Sequence, residues 1–317
     1  MILFTTFISI VLLSFVTISV YNYLSGKRLI KNLIYQKILN QKSLIDLDKR
    51  HSSISAKSDI IISLTTIPER INHIQLTIKS LLNQSVQPKA INLYIPYRSL
   101  RNNATYVIPD WLSQLKNIQV IRIKKDFGPS SKFIPALESH DSSQKILVLD
   151  DDNIYPPNYV RDFDVAAKKH PAVVLAASGW RVPGDLVDRS TTLYRNVFKI
   201  PPTPIPGTRV NQLYPIDIVQ GYSGFLTQPS FHNINDVKNY SHAPKAAFFV
   251  DDVWVSAHCL VNKFVFPISE FCFVPFGMND FFKGSSLAKI NNWDRTKPED
   301  RNNSIAIRFF KGKWLNA

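Results

Sequence analysis

The stretch Lys145-Ile146-Leu147-Val148-Leu149-Asp150-Asp151-Asp152-Asn153 runs four apolar residues directly into three consecutive carboxylates. A short, wholly apolar run suits a strand buried on both faces, as in a parallel sheet. In an open parallel sheet ligands bind outside the carboxyl ends of the strands, so the aspartates are set to project into a binding crevice. Adjacent carboxylates repel, and solvent or a cation must neutralise them. Oxygen-only ligands favour a hard ion, Mg²⁺ or Mn²⁺, which takes one or two carboxylates and completes its shell with water and phosphate oxygens. The partner this implies is a metal-bound diphosphate. The plainer alternative is an acidic turn that ends the strand and caps the helix after Pro156 and Pro157; three carboxylates in series, in an acid-poor chain, weigh against it.

Upstream of this strand the periodicity alternates. Ile60 to Leu64 reads as a buried strand, and Ile71, Ile74, Ile78, Leu81 and Leu82 fall at helical spacing. Ile91, Leu93 and Ile95 alternate as a second strand, Trp111 to Leu115 is a short helix, Ile118 to Ile123 a third strand, and Ser131 to Ser139 a helix. The fold class predicted is α/β, a Rossmann-like, mainly parallel sheet flanked by helices. Beyond about Pro183 the texture changes: Pro201, Pro202, Pro204 and Pro206 crowd one loop before apolar segments resume at Ile216. This reads as an irregular second half of one domain rather than a separate domain.

Of 317 residues, 45% are hydrophobic and 12% aromatic, with only 10 Gly, which excludes a disordered or fibrous chain. Two cysteines, Cys259 and Cys272, exclude a disulfide framework and a cysteine-built zinc site. The formal charge of +14 points to an anionic partner: nucleic acid, a membrane surface or a phosphorylated small molecule. The basic residues are scattered, and no basic stripe interleaved with aromatics is present, so no nucleic acid is expected.

Ile2 to Leu24 carries no charge and is long enough to cross a bilayer, with no basic n-region and no small-x-small cleavage site. An uncleaved single-pass anchor over residues 1–24 is expected, followed by a basic stem over 25–58. Leu29, Ile30, Leu33, Ile34, Ile38 and Leu39 make that stem amphipathic, either free or packed on the domain. Lys27, Arg28, Lys31 and Lys37 follow the span and argue for a cytoplasmic domain. Asn-x-Ser/Thr triplets at Asn83, Asn103, Asn239 and Asn302 suit a lumenal one, so the side stays open between a Golgi or ER lumen in a eukaryote and the cytoplasmic face in a bacterium.

The glycine-rich phosphate loops are missing, so phosphates need a metal and basic side chains. Lys132, directed by the Gly128-Pro129 turn toward the acidic strand end, and Arg70, just after the first strand, are the candidates. Phe248-Phe249-Val250 runs into a second acidic pair, Asp251-Asp252, ahead of an expected helix. Asp is a favoured N-cap, worth about 0.5–2 kcal/mol; two in succession leave one free. Gly221-Tyr222-Ser223-Gly224 is not a nucleophile elbow, and its glycines also suit a plain tight turn. Trp180 fits the core or a sugar-stacking face.

Thr65-Thr66-Ile67-Pro68-Glu69-Arg70, Asp126-Phe127-Gly128-Pro129-Ser130-Ser131-Lys132, Asp150-Asp151-Asp152 and Asp251-Asp252-Val253-Trp254, in this order, resemble the landmarks of GT-A fold glycosyltransferases. More narrowly they resemble the glycosyltransferase 2-like group, with a distant likeness to exostosin-type enzymes, over about Asp59 to Phe276. The resemblance implies a nucleotide-sugar donor, most often a UDP-sugar, with Leu64, Thr65, Thr66 and Arg70 around the nucleotide. It makes Asp150 and Asp152 the outer carboxylates of an Asp-x-Asp motif that binds Mn²⁺ or Mg²⁺, with Asp152 as direct ligand. Asp151 and Lys132 complete the donor site, and Gly221 and Tyr222 lie beside the donor sugar. Asp252, in preference to Asp251, becomes the base for a hydroxyl acceptor on a glycan, lipid or protein. Many such enzymes add a later His to the metal; only His258 follows the second acidic pair here.

The domain reading is then an anchor (1–24), a stem (25–58), a GT-A catalytic domain (59–290) and a C-terminal tail (291–317). The activity expected is metal-dependent transfer of the hexosyl or N-acetylhexosaminyl type. The alternatives are a glycoside hydrolase using paired carboxylates, which needs no metal, and a membrane-tethered polyanion-binding module.

Overall fold

A computed structural model describes residues 2–284, 287, 291 and 297–315. Helix α1 (Ile2–Ser25) is predominantly apolar and uncharged, and none of Phe4–Ser25 is buried against the rest of the chain. At about 1.5 Å per residue it is long enough to cross a membrane. Gly26, at φ +71°, ends it in the left-handed conformation that glycine adopts without steric cost. Helices α2 (Leu29–Gln41) and α3 (Leu44–Ser53) follow. Both lie on the domain: Gln36 exchanges two hydrogen bonds with the Phe276 backbone, and Leu47 enters the main core.

The next elements alternate as the periodicity predicts. They are β1 (Ile61–Thr65), α4 (Gln75–Leu82), β2 (Ala90–Pro96), α5 (Asp110–Ser113), β3 (Ile118–Ile123), α6 (Ile134–Ser139), β4 (Ile146–Val148) and α7 (Tyr159–Lys169). Helix α4 starts later than the apolar spacing from Ile71 suggests. Residues 67–74 form tight turns instead, with Arg70 N–H donating to Ile67 O and His73 N–H to Arg70 O. Helix α7 buries Tyr159, Val160, Phe163, Ala166 and Ala167 along one face and ends on Lys168 and Lys169, which complement the helix dipole.

The later segments are short: β5 (Val174–Ala176), β6 (Ser178–Trp180), α8 (Leu193–Val197), β7 (Ile205–Pro206), β8 (Tyr214–Ile216), β9 (Ile218–Val219), β10 (Phe225–Thr227), α9 (Ile234–Val237), α10 (Asp251–Ala257), β11 (Lys263–Val265), α11 (Asn279–Gly284) and α12 (Asn302–Phe309). Among the described residues the main sheet has the order β3-β2-β1-β4-β10-β5-β11-β8. Strands β3, β2, β1 and β4 are mutually parallel. Strand β10 runs antiparallel to both β4 and β5, and β8 antiparallel to β11, so the sheet is mixed and mostly parallel.

Side-chain alternation splits the core across this sheet. Leu147 and Leu149 face one layer with Ile62, Leu64 and the apolar faces of α4 and α7. Ile146 and Val148 face the other, with Ile134 and Leu137 of α6. A second sheet, β7-β6-β9, packs Trp180 and Ile218 against α10 and α12, where Val253, Trp254, Ala306, Ile307 and Trp314 complete a third cluster. Of the four Asn triplets, Asn302 is buried and donates to Asn291, which leaves no room there for a glycan on the folded chain.

Asp48 of α3 joins the stem helices to the sheet edge. Its buried carboxylate accepts from the Lys116 N–H, the Asn117 N–H and Asn117 Nδ2, each at 2.9 Å. An Asp48→Ala change strands these donors, and a buried polar group without its partner costs about 1–3 kcal/mol. We expect a loss of about 2–4 kcal/mol by urea unfolding of the detergent-solubilised chain; an unchanged midpoint would show that α3 does not hold the edge.

Candidate functional site

Strand β4 delivers the carboxylates. Leu149 N–H still donates to Ser63 O, so the chain leaves the sheet at Asp150, at the same edge where β1 ends on Thr65 and Thr66 follows. Tyr155 pins the departure: its hydroxyl receives the Asp150 N–H at 3.0 Å and lies 3.0 Å from the Asp150 carbonyl. The Thr77 hydroxyl donates to the Asp151 carbonyl at 2.8 Å.

The three side chains then diverge. Asp151 is buried and faces Thr66 and Arg70, accepting from Thr66 Oγ1 (2.6 Å) and Arg70 Nη1 (3.0 Å). Asp152 lies 3.2 Å from the same Arg70 nitrogen through Oδ2 and accepts from Asn153 Nδ2 at 2.8 Å through Oδ1. Asp150 pairs with Lys132 Nζ, which also reaches Asp251 Oδ2 at 2.8 Å. Asp252 Oδ1 accepts the Gly221 N–H at 2.8 Å. Both acidic groups thus meet around one ammonium. A side chain at Gly221 would crowd it, since a Cβ there would lie 2.7 Å from Lys132 Nζ and 3.2 Å from Asp252 Oδ1.

Neither Asp251 nor Asp252 is the N-cap that the sequence suggested for one of them. Val250 occupies that position and both aspartates lie in the first turn of α10. There their charge meets the positive end of the helix dipole while their oxygens go to Lys132 and Gly221.

These groups line a cavity of about 670 Å³ that also takes in Thr65, Thr66, Tyr106, Trp180, Tyr222 and Phe248. Leu64 packs in the core instead, and Gly221 contributes its backbone. Six carboxylates (Asp126, Asp150, Asp151, Asp152, Asp251, Asp252) and three cations (Arg70, Arg101, Lys132) are among the described lining residues, a formal excess of three negative charges.

The electrostatics reflect that excess. Burial opposes the charge on Lys132, but Asp150, Asp251 and Asp252 overcome it and hold the ammonium well above its usual range. Arg70 is likewise kept charged against burial by Asp151 and Asp152. Burial and then the neighbouring Asp151 and Asp150 push Asp152 up to about 7. Burial and Asp251 push Asp252 well above the carboxylate range. Among the described residues no three carboxylate, imidazole or thiol groups sit close enough together to hold a metal ion; Asp150 and Asp152 are each partly exposed and paired with Lys132 and Arg70, while Asp151 is closed off by Thr66 and Arg70.

His258 is not brought to the acidic groups. Its Nδ1 meets Trp254 O at 2.8 Å and its ring packs on Trp254 and Phe310. Trp180 belongs to the third core cluster and also lines the cavity. Sequence reasoning missed Gln220, Phe249 and Asn291. Asn291 donates to Phe249 O at 2.7 Å and closes one wall, a placement with no local sequence signal. The apolar Phe248-Phe249 run ahead of the acidic pair was the available signal for Phe249.

No protein-family model and no curated protein matches the chain. Solved structures of S. aureus TarS are similar to it in part. TarS 1-349 aligns at 13% identity and TM-score 0.42, covering 73% of this chain and 63% of that one. Its complex with UDP gives 13% and 0.41, covering 73% and 64%. Its complex with UDP-GlcNAc gives 12% and 0.39, covering 68% and 58%. The chain spans less than two thirds of each of these TarS structures.

The raised Asp152 carries a stability cost. Its folded value of about 7 lies above its ordinary 3.8, so the folded state holds a proton that the unfolded state has lost, and stability falls as pH rises between those values. An Asp152→Asn change removes that charge. We expect it to raise the melting temperature of the ligand-free chain by a few degrees, about 2–4 °C per kcal/mol relieved, and more at pH 8 than at pH 4. Equal shifts at both pH values would contradict the crowding of charge.

Proposed function

We propose that the chain is a metal-dependent glycosyltransferase that moves a hexosyl or N-acetylhexosaminyl group from a nucleotide sugar, a UDP-sugar, to a hydroxyl on a glycan, lipid or protein acceptor. The observation that carries this reading is the under-neutralised carboxylate set at the carboxyl end of β4, opening into a cavity with Lys132, Arg70 and aromatic walls. Asp150 and Asp152 would hold Mn²⁺ or Mg²⁺. When bound, the ion supplies Lewis-acid stabilisation of the departing diphosphate.

The chain's own residues have separate tasks. Thr65 and Thr66 border the nucleotide side of the cavity, where Arg70 fixes Asp151 and Asp152 in position. Lys132 holds Asp150 near Asp251 and brings positive charge toward the phosphates. Tyr222, Trp180 and Phe248 offer apolar faces to the sugar. In the reaction the bond from the anomeric carbon to the diphosphate oxygen breaks and a bond to the acceptor oxygen forms. The acceptor proton passes to Asp252, whose proton affinity is raised by burial and Asp251 and whose Oδ1 is anchored on Gly221. A second reading takes support from Lys132 and Arg70 already pairing with the acidic triplet: these cations alone carry the diphosphate and no metal is used.

The test pairs calorimetry with turnover on a panel of nucleotide sugars, with and without Mn²⁺. We expect Asp252→Asn to lower transfer by about 10²–10⁴-fold with donor affinity retained. Asp152→Ala should abolish the Mn²⁺ dependence of donor binding. Chelator-insensitive turnover would favour the metal-free reading, and absence of binding to every nucleotide sugar would remove the proposal.

A further inference from the structure

Helix α2 carries apolar side chains on the face away from the domain as well as on the face toward it. On the face toward the domain it buries Asn32, 6% exposed, together with Leu39. On the opposite face Ile30, Leu33, Ile34 and Ile38 recur at helical spacing, with Ile30 and Ile34 57% and 56% exposed. A second exposed apolar group lies on α8: Leu193, Tyr194, Val197 and Phe198, the last 63% exposed. Soluble surfaces carry such side chains singly; two grouped faces mark a contact with something apolar.

Both faces gather where α1 emerges. Helix α2 begins four residues after the last residue of α1. The α8 region is tied to the same point, because Asn196 Nδ2 donates to Leu24 O at 3.3 Å and the Arg209 guanidinium lies 4.7 Å from the Tyr23 ring centroid. Arg209 also bonds the Asn196 side chain, and the Thr208 hydroxyl donates to Gly26 O at 3.0 Å. Between α1, α2 and the Thr208–Arg209 turn is a cavity of about 660 Å³ lined by Lys27, Arg28, Lys31 and Arg209, of which Lys31 is paired with Glu270. Apolar side chains with basic residues around them, at the end of an apolar helix, match a leaflet with hydrocarbon below and anionic headgroups at its surface.

We propose that the domain does not hang from its anchor but docks on the bilayer: α2 and the α8 face enter the headgroup layer of the leaflet where α1 emerges, and the basic cavity receives an anionic lipid headgroup. This rests on reading α1 as a membrane span and is independent of the chemistry at Asp150–Asp152. Two observations select the leaflet over a second protein chain. The faces are continuous with the span, and the charge around them is complementary to phosphate.

The experiment uses the full chain, with Cys259→Ser, in vesicles of pure phosphatidylcholine or with added phosphatidylserine. Single nitroxide labels are placed at Leu12→Cys, Ile34→Cys, Phe198→Cys and, as the aqueous reference, Leu260→Cys. Collision with oxygen is expected to exceed collision with a nickel chelate several-fold at Leu12, Ile34 and Phe198. The preference at Ile34 and Phe198 should grow with phosphatidylserine, and it should reverse at Leu260. Water-like accessibility at Ile34 and Phe198 with lipid-like accessibility at Leu12 would overturn docking while keeping the anchor. Water at all three would remove both. Exclusion of both quenchers at Ile34 and Phe198, relieved by diluting the protein, would assign the faces to a second copy and overturn the proposal.

Discussion

A single buried ammonium joins the two halves of the domain. Lys132 Nζ pairs with Asp150, at the end of the parallel strands, and with Asp251, at the start of α10, which belongs to the short-stranded second half. The Lys132 backbone carbonyl meanwhile accepts from the Ser63 hydroxyl of β1, so the cation is placed by the strand next to the one whose carboxylate it neutralises. A buried charge is expensive unless paired, and buried carboxylates without a cation are equally so. Each side of this contact makes the other tolerable, and Gly221 leaves the ammonium room.

The compensation is incomplete. Arg70 and Lys132 cover part of the acidic charge, and the raised Asp152 and Asp252 record what remains. A fold selected only for stability would remove such a surplus, and perturbed carboxylates crowded into one cavity are characteristic of functional sites. The same logic applies to the exposed apolar face of α2, which is a liability in water and an asset against hydrocarbon.

In the parallel half of the fold three strands are long enough to carry a pattern, and the short β4 was legible from the four apolar residues that run into the acidic triplet. Ile61–Thr65, Ala90–Pro96 and Ile118–Ile123 alternate or run apolar between helices with clear periodicity. Strand β10, only three residues long, has no period to read, and its antiparallel insertion between β4 and β5 comes from tertiary pairing. The acidic triplet and Lys132 were visible as local motifs, and the structure brings them together. The inward turn of Asp151 was not visible, because it depends on Thr66 and Arg70 from another strand's loop. Asn291 closes the cavity from far along the chain, and the pattern around it carries no hint of that. The stem was legible as a helix but not in its orientation, since a pattern that marks an apolar face does not say whether protein or lipid covers it.

The proposed transferase needs a divalent ion and a diphosphate to meet at Asp150 and Asp152, and anomalous scattering from crystals of the full chain grown with Mn²⁺ and UDP reads that contact directly. A manganese peak is expected within bonding distance, about 2.0–2.3 Å, of both an aspartate oxygen and the diphosphate. A diphosphate held by Lys132 and Arg70 with no manganese peak beside it, or a nucleotide bound away from the β4 edge, would contradict it.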